Sequence, residues 1–359
     1  MQRRGISTLI VMAFMMVSFV SFGNETEGDH AVSETTVNGA EARKEAVKKV
    51  KDHHLLDDYN FTIVHSEDLT ISVPLPVILW NNGLHVFMSS GFNHGHEVVE
   101  SNGSYFKLHH GKIYNVNADG SFTYDEHNHP INRVLLDFSI TKNVVVIILM
   151  SLLLFFTFKK IAKSYGGGSM PKKAGRFLEP IIVFVRDDIA IPNIGEKHYK
   201  RFMSYLLTIF FFIWFLNLAG MTPLGVGVTN NIAVTFSLAM FTFFITQFSG
   251  NKNYWGHIFW MPGVPKPMRI ILAPIELLGV FIKPFALMIR LYANMTAGHV
   301  VLMSIIGLIF VFKNWFATGA FFSLTIFLSV LELLVAALQA YIFTMLTALY
   351  FGSAVEEHH

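Results

Sequence analysis

Cysteine is absent from the 359-residue sequence, which excludes disulfide bonds and thiolate metal sites. Charged residues are scarce as well: Asp, Glu, Lys and Arg make up 14% of the chain, whereas soluble domains average about 25%. The net charge of +2 is small and the basic residues are dispersed, so no nucleic-acid partner is expected. The sequence also lacks a G-x-x-x-x-G-K-[ST] phosphate loop, which argues against nucleotide chemistry by this chain.

Apolar residues are what the chain has in excess, at 52% of the total, and they are unevenly distributed. Residues 202–251 contain no Asp, Glu, Lys or Arg, whereas residues 24–137 are rich in charged side chains and histidine. The two regions therefore meet different solvents. The predicted fold is an all-α multi-span membrane protein with a small β-rich extracytoplasmic domain before it.

The first 23 residues have the layout of a secretory signal peptide, because Arg3 and Arg4 precede an apolar run that ends in polar sequence. An uncleaved N-terminal span is the alternative. Residues 24–137 are then an exported region that begins with a charged arm over 24–58. Short β-type runs follow it, separated by turn sequences at 81–83 and 117–120; they lie at 61–66, 70–80, 104–108, 112–116 and 121–125.

Residues 138–359 form the predicted membrane domain, since a membrane-spanning helix needs about 20 mostly apolar residues. Five such segments lie at about 143–158, 202–219, 231–249, 284–312 and 314–354. The last two are long enough to predict a tilted helical hairpin. Residues 176–191 are apolar over much of their surface but too short and too charged to cross, which predicts an interfacial amphipathic helix.

The distribution of basic residues predicts the orientation in the membrane. Loop 159–201 has ten Lys and Arg against four Asp and Glu, and loop 250–275 has three basic residues and no acid. Loop 220–230 carries no charge. By the positive-inside rule, the N-terminal domain is periplasmic and the C-terminus cytoplasmic in a bacterial inner membrane.

Arg290 lies within an apolar segment, with no acid close to it in sequence. A charge at the centre of a bilayer costs about 2.5–3.5 kcal/mol on insertion scales, so it persists mainly where function or pairing retains it. Arginine stays protonated at physiological pH even when it is buried. A permanent positive charge is therefore the property that this position supplies, and ion transport is the function it favours.

Helical geometry arranges the other polar residues around Arg290. At about 100° per residue, Glu276, Lys283, Arg290 and Asn294 fall on one stripe of a helix. His299, nine residues beyond Arg290, falls on the opposite face and about 13 Å along the axis.

On the last helix, Glu332 and Gln339 are seven residues apart and share a face. Packing of the two helices would let this face approach His299 and Asn294. Glu and His can exchange protons, and Asn and Gln can hold water between them. The alternative is that these residues form inert interhelical hydrogen bonds.

These residues resemble subunit a of the membrane sector of F-type ATP synthases. The matching stretches are PIELLGVFIKPFALMIRLYANMTAGH at 274–299, LELLVAALQAYIFTMLTALYF at 331–351 and, more weakly, TNNIAVTFSLA at 229–239. The R-L-x-x-N-M-x-A-G core is very specific to this family. The resemblance covers about residues 135–359, so it does not include the signal peptide or the β-rich region.

The resemblance implies a non-catalytic, proton-translocating subunit without metal or cofactor. Its partners would be the c-subunit ring, the b-subunit peripheral stalk, the remaining ATP synthase subunits and membrane lipid. Arg290 would be the stator arginine that faces the ring carboxylates, between two aqueous half-channels. The polar positions of the proton path would be Asn294, His299, Glu332, Gln339 and, as a weaker match, Glu276.

One departure is that many bacterial members have Glu at the position of His299 and His at the position of Glu332. The exchange preserves one acid and one imidazole, as in mitochondrial members, and leaves the order of proton transfer open. Histidine pairs in the exported region lack a completing acid or Cys ligand, so they predict solvated surface residues rather than a metal site. The alternative functions are a self-contained channel or secondary transporter with an exported sensor domain, or a structural anchor.

Overall fold

The computed structural model describes residues 57–65, 70–95, 97–109, 111–124, 130–134, 136–165, 174–222, 226–260, 265–311 and 315–356. The predicted signal peptide and almost all of the charged arm lie outside the described residues.

The N-terminal part contains eight short strands among the described residues. They are β1 Asn60–His65, β2 Thr70–Pro74, β3 Pro76–Trp80, β4 Leu84–Met88, β5 Val99–Ser101, β6 Ser104–His109, β7 Lys112–Val116 and β8 Leu136–Asp137, with a 3₁₀ helix at Ser89–Gly95. They form three antiparallel sheets, β1-β2, β4-β3-β8 and β5-β6-β7. The β-rich fold is therefore confirmed.

A small apolar core holds these sheets together. Its buried members are Tyr59, Val77, Leu79, Phe92, Phe106, Ile113 and Val134. The predicted turn at 81–83 joins β3 to β4, where Asn82 and Gly83 both have positive φ. The strand predicted at 121–125 is wrong for the described residues 121–124, because Tyr124 makes only an isolated bridge and Phe122 packs its ring beside Tyr114.

Eight α-helices follow in the described residues: α1 Lys142–Tyr165, α2 Ala174–Phe184, α3 Ile191–Ile194, α4 Tyr199–Gly220, α5 Ile232–Ser249, α6 Lys252–Phe259, α7 Lys266–Val311 and α8 Trp315–Val355. Five of them (α1, α4, α5, α7 and α8) are long and apolar enough to cross a membrane. Within the described part of the chain, the predicted number of spans is confirmed by helix length and composition.

The helix of the fourth span, α7, begins at Lys266, well before the predicted start at 284. Pro274 and Pro284, which would usually end a helix, both lie inside it. Apolar surroundings and neighbouring helices make such internal prolines tolerable in membrane helices. At 1.5 Å per residue, α7 with 46 residues and α8 with 41 are about 69 and 62 Å long. Both are about twice the thickness of the hydrocarbon core, so each must be inclined or extend beyond it.

The segment predicted as an interfacial helix is helical throughout. It consists of α2, a π-helical turn at Val185–Ala190 and α3. The π turn is not only a surface element, since Val185, Ile189 and Ala190 are fully buried in the core of the membrane domain. The segment is thus packed against α4 and α8.

Gly352 makes this packing possible. A Cβ atom at Gly352 of α8 would collide with the carbonyl oxygen of Asn193 in α3, whereas a Cβ at Gly319 of the same helix would meet nothing within 4 Å. Gly352→Ala is therefore expected to lower the thermal stability of the detergent-solubilised protein, because backbone must move. Gly319→Ala is the matched control, expected to be neutral or slightly stabilising by helix propensity; equal melting temperatures for the two variants would contradict the clash.

The β-rich domain is joined to α1 by hydrogen bonds around Asp57. The Thr141 hydroxyl donates to Asp57 Oδ2 at 2.8 Å and the Asn143 N–H donates to Oδ1 at 3.3 Å. These bonds place a carboxylate at the N-terminus of α1. Burial nevertheless raises the pKa of Asp57 from 3.8 to about 6. The hydrogen bond from Thr141 and the charge of Lys142 lower this pKa, but by less than burial raises it.

Because the folded pKa of Asp57 exceeds its unfolded value, the folded state binds more protons between about pH 4 and pH 6. The stability that Asp57 contributes is present below this window and is lost as the pH rises through it. Asp57→Asn is expected to flatten the dependence of melting temperature on pH over this range, because the amide keeps an acceptor and cannot ionise. The exposed Asp119→Asn is the control, and an unchanged pH slope in Asp57→Asn would refute this role.

Candidate functional site

Antiparallel packing of α7 and α8 brings together two pairs of polar side chains. Asn294 Nδ2 donates to Gln339 Oε1 at 2.9 Å. One to two turns further along α7, His299 Nδ1 lies 2.5 Å from Glu332 Oε1. Both proximities were predicted from helical spacing. His299, Glu332 and Gln339 are buried, whereas Asn294 is exposed.

The contact between His299 and Glu332 has ion-pair distance when the imidazole is protonated. On its other side, His299 Nε2 lies 3.3 Å from the carbonyl oxygen of Gly220, where a nitrogen can only act as donor. Nδ1 of a neutral ring would then be a bare acceptor facing a second acceptor on Glu332. One further proton, on the imidazole or on the carboxyl group, would make this close contact favourable. The contact has the length of an ion pair, although its angle falls outside hydrogen-bond geometry.

Two glycines allow this close approach. A Cβ atom at Gly298 would lie 3.3 Å from Glu332 Oε1, and one at Gly220 would lie 3.1 Å from His299 Nε2. Both distances are tighter than ordinary contacts, so a side chain at position 298 would displace Glu332 and one at position 220 would displace His299 by a few tenths of an ångström. The close contact with Glu332 thus gives a steric reason for glycine at position 298, directly before the buried His299.

Further polar groups surround this pair that the sequence reasoning missed. Asn217 on α4 is fully buried and donates to the carbonyl oxygen of Ala336 at 3.4 Å. Within the described residues, hydrogen-bond partners are lacking for Asn217 Oδ1, both amide atoms of Asn230 and Thr296 Oγ1. Buried polar atoms are normally paired or hydrated, so water would be expected at these positions.

Arg290 differs from these residues, since no carboxylate among the described residues pairs with it. It is half-buried, and its charge acts on Tyr350, the same ring over which Lys283 Nζ lies at 5.4 Å. An exposed stripe on α7 runs alongside it and consists mostly of small side chains: Ala286, Ile289, Ala293 and Ala297. A partner helix could therefore approach Arg290 closely.

Glu276 lies away from the other predicted site residues, on the opposite side of Arg290 along α7. The spacing to His299 is 23 residues, about 35 Å of helix. Its charge acts on Tyr254, whose hydroxyl lies 3.2 Å from Gln247 Nε2. Burial, and then Glu276, raises the pKa of Tyr254. The structure thus separates the polar residues into two groups, with Arg290 between them.

Fold and site define a multi-span membrane protein with two pairs of polar side chains between its two longest helices. The family model described as ATP synthase A chain matches residues 141–352, more than half of the sequence. The chain belongs to this family, as the sequence motifs predicted. A second model, described as Domain of unknown function (DUF8433), matches residues 50–138.

The similar relatives are bacterial proteins named ATP synthase subunit a. That of Anaeromyxobacter sp. (strain Fw109-5) is 41% identical over 251 residues, which cover 65% of this chain and 61% of the relative. That of Chloroherpeton thalassium is 45% identical over 234 residues, covering 62% and 69%. That of Chlorobium phaeobacteroides (strain BS1) is 43% identical over 244 residues, covering 64% and 71%. The chain thus spans less than two thirds of the Anaeromyxobacter relative.

Proposed function

We propose that this chain is the stator subunit of an ATP synthase proton channel, which delivers protons to the carboxylates of a rotating c-ring and receives them back. The observation that carries this proposal is Arg290. It is a permanent cation in a membrane-spanning helix, is half-buried beside a stripe of small residues, and has no carboxylate partner in the described part of the chain. Its missing counterion would be supplied by another subunit.

A ring carboxylate that approaches Arg290 would lose its proton, because a nearby positive charge favours the ionised form. The same cation repels a proton that would pass directly between the two groups of polar residues. Protons would therefore cross only when carried around by the ring. Each elementary charge that crosses about 100 mV releases about 2.3 kcal/mol, which can drive rotation.

The two groups of polar residues correspond to two half-channels. On one side, the exposed Asn294 and the buried Gln339, His299 and Glu332 would line the first half-channel, with Asn217 near Glu332 on α8. A proton shared by His299 and Glu332 would make this pair the proton-transfer step of that half-channel. On the other side, Glu276 and Lys283 line the second half-channel, next to Tyr254.

The remaining assignments follow from the same role. The chain carries out no covalent chemistry, and nucleotide chemistry belongs to partner subunits. It contacts the c-ring, the b-subunit peripheral stalk and lipid in a bacterial inner membrane. Residues 1–23 are a signal peptide, residues 24–137 are periplasmic, and the C-terminus of the membrane domain at 138–359 is cytoplasmic.

Cross-linking in the assembled enzyme tests where the ring lies. Since the chain has no cysteine, Ile289→Cys provides a single thiol, one residue before Arg290 and at a position where the side chain is 54% exposed. It is expected to form a disulfide with a cysteine placed beside the ring carboxylate. Leu149→Cys on α1, also 54% exposed, is the matched control and should not cross-link to the ring.

The opposite pattern, with ring cross-links from α1 and none from α7, would refute the proposed interface. Proton uptake by vesicles that contain this chain alone would instead favour a self-contained channel or transporter.

A further inference from the structure

The β4-β3-β8 sheet has an apolar surface on the side that faces away from the domain core. On β3, Val77 and Leu79 are fully buried, so the alternate residues Pro76, Ile78 and Trp80 project from the other face. On β4 the outward side chains are Leu84, Val86 and Met88, which are 53%, 58% and 47% exposed. The outer face of an antiparallel sheet is usually polar.

The strand register makes these residues one continuous patch. Trp80 pairs with Leu84, Ile78 with Val86, and Pro76 with Met88. The third strand adds Leu136 beside Trp80, and Phe138, whose N–H donates to the Ile78 carbonyl oxygen. We call these eight residues the apolar sheet face: Pro76, Ile78, Trp80, Leu84, Val86, Met88, Leu136 and Phe138. It contains no charged or polar side chain, which is the mark of an interaction surface.

The apolar sheet face leads directly into the first membrane span. Beyond β8, the Ile140 N–H donates to the Pro76 carbonyl oxygen, and α1 begins two residues later at Lys142. Ile140 and Phe61 of the β-rich domain pack against the core of the membrane domain. The end of the sheet at Pro76 and Met88 is therefore next to the bilayer.

The length of the apolar run in α1 indicates how close the sheet lies to the membrane. The apolar run of α1 from Val144 to Phe158 has 15 residues and measures about 22 Å, against about 30 Å for the hydrocarbon core. It ends at Lys159 and Lys160, whose long side chains can reach the opposite interface. Because this run is short, both ends of α1, including the end where Ile140 and the sheet lie, are expected to be close to the membrane interfaces.

We propose that the apolar sheet face rests on the lipid bilayer, at the boundary between acyl chains and headgroups of the leaflet where α1 begins. The face continues the apolar surface of the first span at the end where the sheet joins it. The β5-β6-β7 sheet carries Glu100, Lys107 and Lys112. The domain would thus be a membrane-resting module beside the first span.

Single cysteines test this in the intact enzyme, prepared with cysteine-free partner subunits. Val86→Cys lies in the apolar sheet face, and Ala118→Cys lies in an exposed turn of the same domain. Each would carry a bimane fluorophore in phosphatidylcholine vesicles that contain doxyl-labelled lipid. The fluorophore at position 86 is expected to lose most of its fluorescence to the doxyl lipid and little to aqueous iodide, whereas position 118 should show the reverse.

Two outcomes would overturn the proposal. Quenching of position 86 by iodide as strong as at position 118 would mean that the face is open to water. Protection from both quenchers would mean that a protein partner covers it. Leu84→Cys provides a second position on the same face if the first variant does not assemble.

Discussion

Replacing Arg290 with alanine is expected to abolish ATP-driven proton pumping and proton-driven ATP synthesis, to below about 1% of the native rates. Losses of about 10²-fold or more are common when a preorganised electrostatic group is removed. Without the cation, a ring carboxylate that enters the subunit interface keeps its proton and has no counterion, so it cannot ionise in apolar surroundings. Acidification of inverted membrane vesicles and ATP synthesis by the same vesicles measure the two directions.

Arg290→Ala should also have an effect that a merely structural residue would not produce. Removal of the barrier charge is expected to raise passive proton leak through membranes stripped of the catalytic sector. Arg290→Lys keeps a positive charge but can deprotonate when buried, so it should also lose most coupled activity. Lys283→Gln is the control on the same helix: Lys283 is already engaged with the Tyr350 ring, and its loss should be milder. Normal pumping by an assembled Arg290→Ala enzyme would contradict the proposed function.

The spans and the two polar pairs could be predicted because each rests on a large physical effect. Burying a charge in lipid is costly, so the absence of charge over 202–251 indicates the second and third spans. Seven-residue spacing returns a side chain to nearly the same helix face, which aligned Glu332 and Gln339 before the partner helix was known. The start of α7 could not be predicted, because proline usually ends a helix in water but is tolerated at Pro274 and Pro284.

Asn217 and strand β4 could not be predicted, because neither has a distinctive pattern of charge or hydropathy in the sequence. Asn217 carries no charge and lies in an apolar span, so neither hydropathy nor charge distinguishes it from a helix-bridging amide. Its role beside the His299 pair depends on the packing of α4 against α8, which is a tertiary property. Strand β4 was missed because buried His85 alternates with apolar residues on the exposed side, the reverse of the usual pattern. That reversal is itself the sign of the apolar sheet face.

The second large effect concerns the close contact between His299 and Glu332. Glu332→Gln is nearly isosteric but cannot ionise, so it should slow coupled proton flux by about 10²-fold, within the range for a lost acid–base group. His299→Gln should have an effect of similar size, because it leaves the buried carboxyl group of Glu332 without its 2.5 Å partner. Both variants should assemble normally, since the changed side chains keep their length and polarity.

The exchanged double variant, His299→Glu with Glu332→His, separates proton transfer from packing. If the pair acts through one shared proton, the exchange restores an acid and an imidazole at the same contact and should recover part of the flux lost in either single variant. Non-additivity of this kind is expected only for residues that act as a unit. A simple interhelical bond would give a different result: the single Gln variants, which still hydrogen bond, would retain near-native flux, and the exchange would bring no recovery. Proton flux at several pH values, compared with the amount of assembled enzyme, decides between the two.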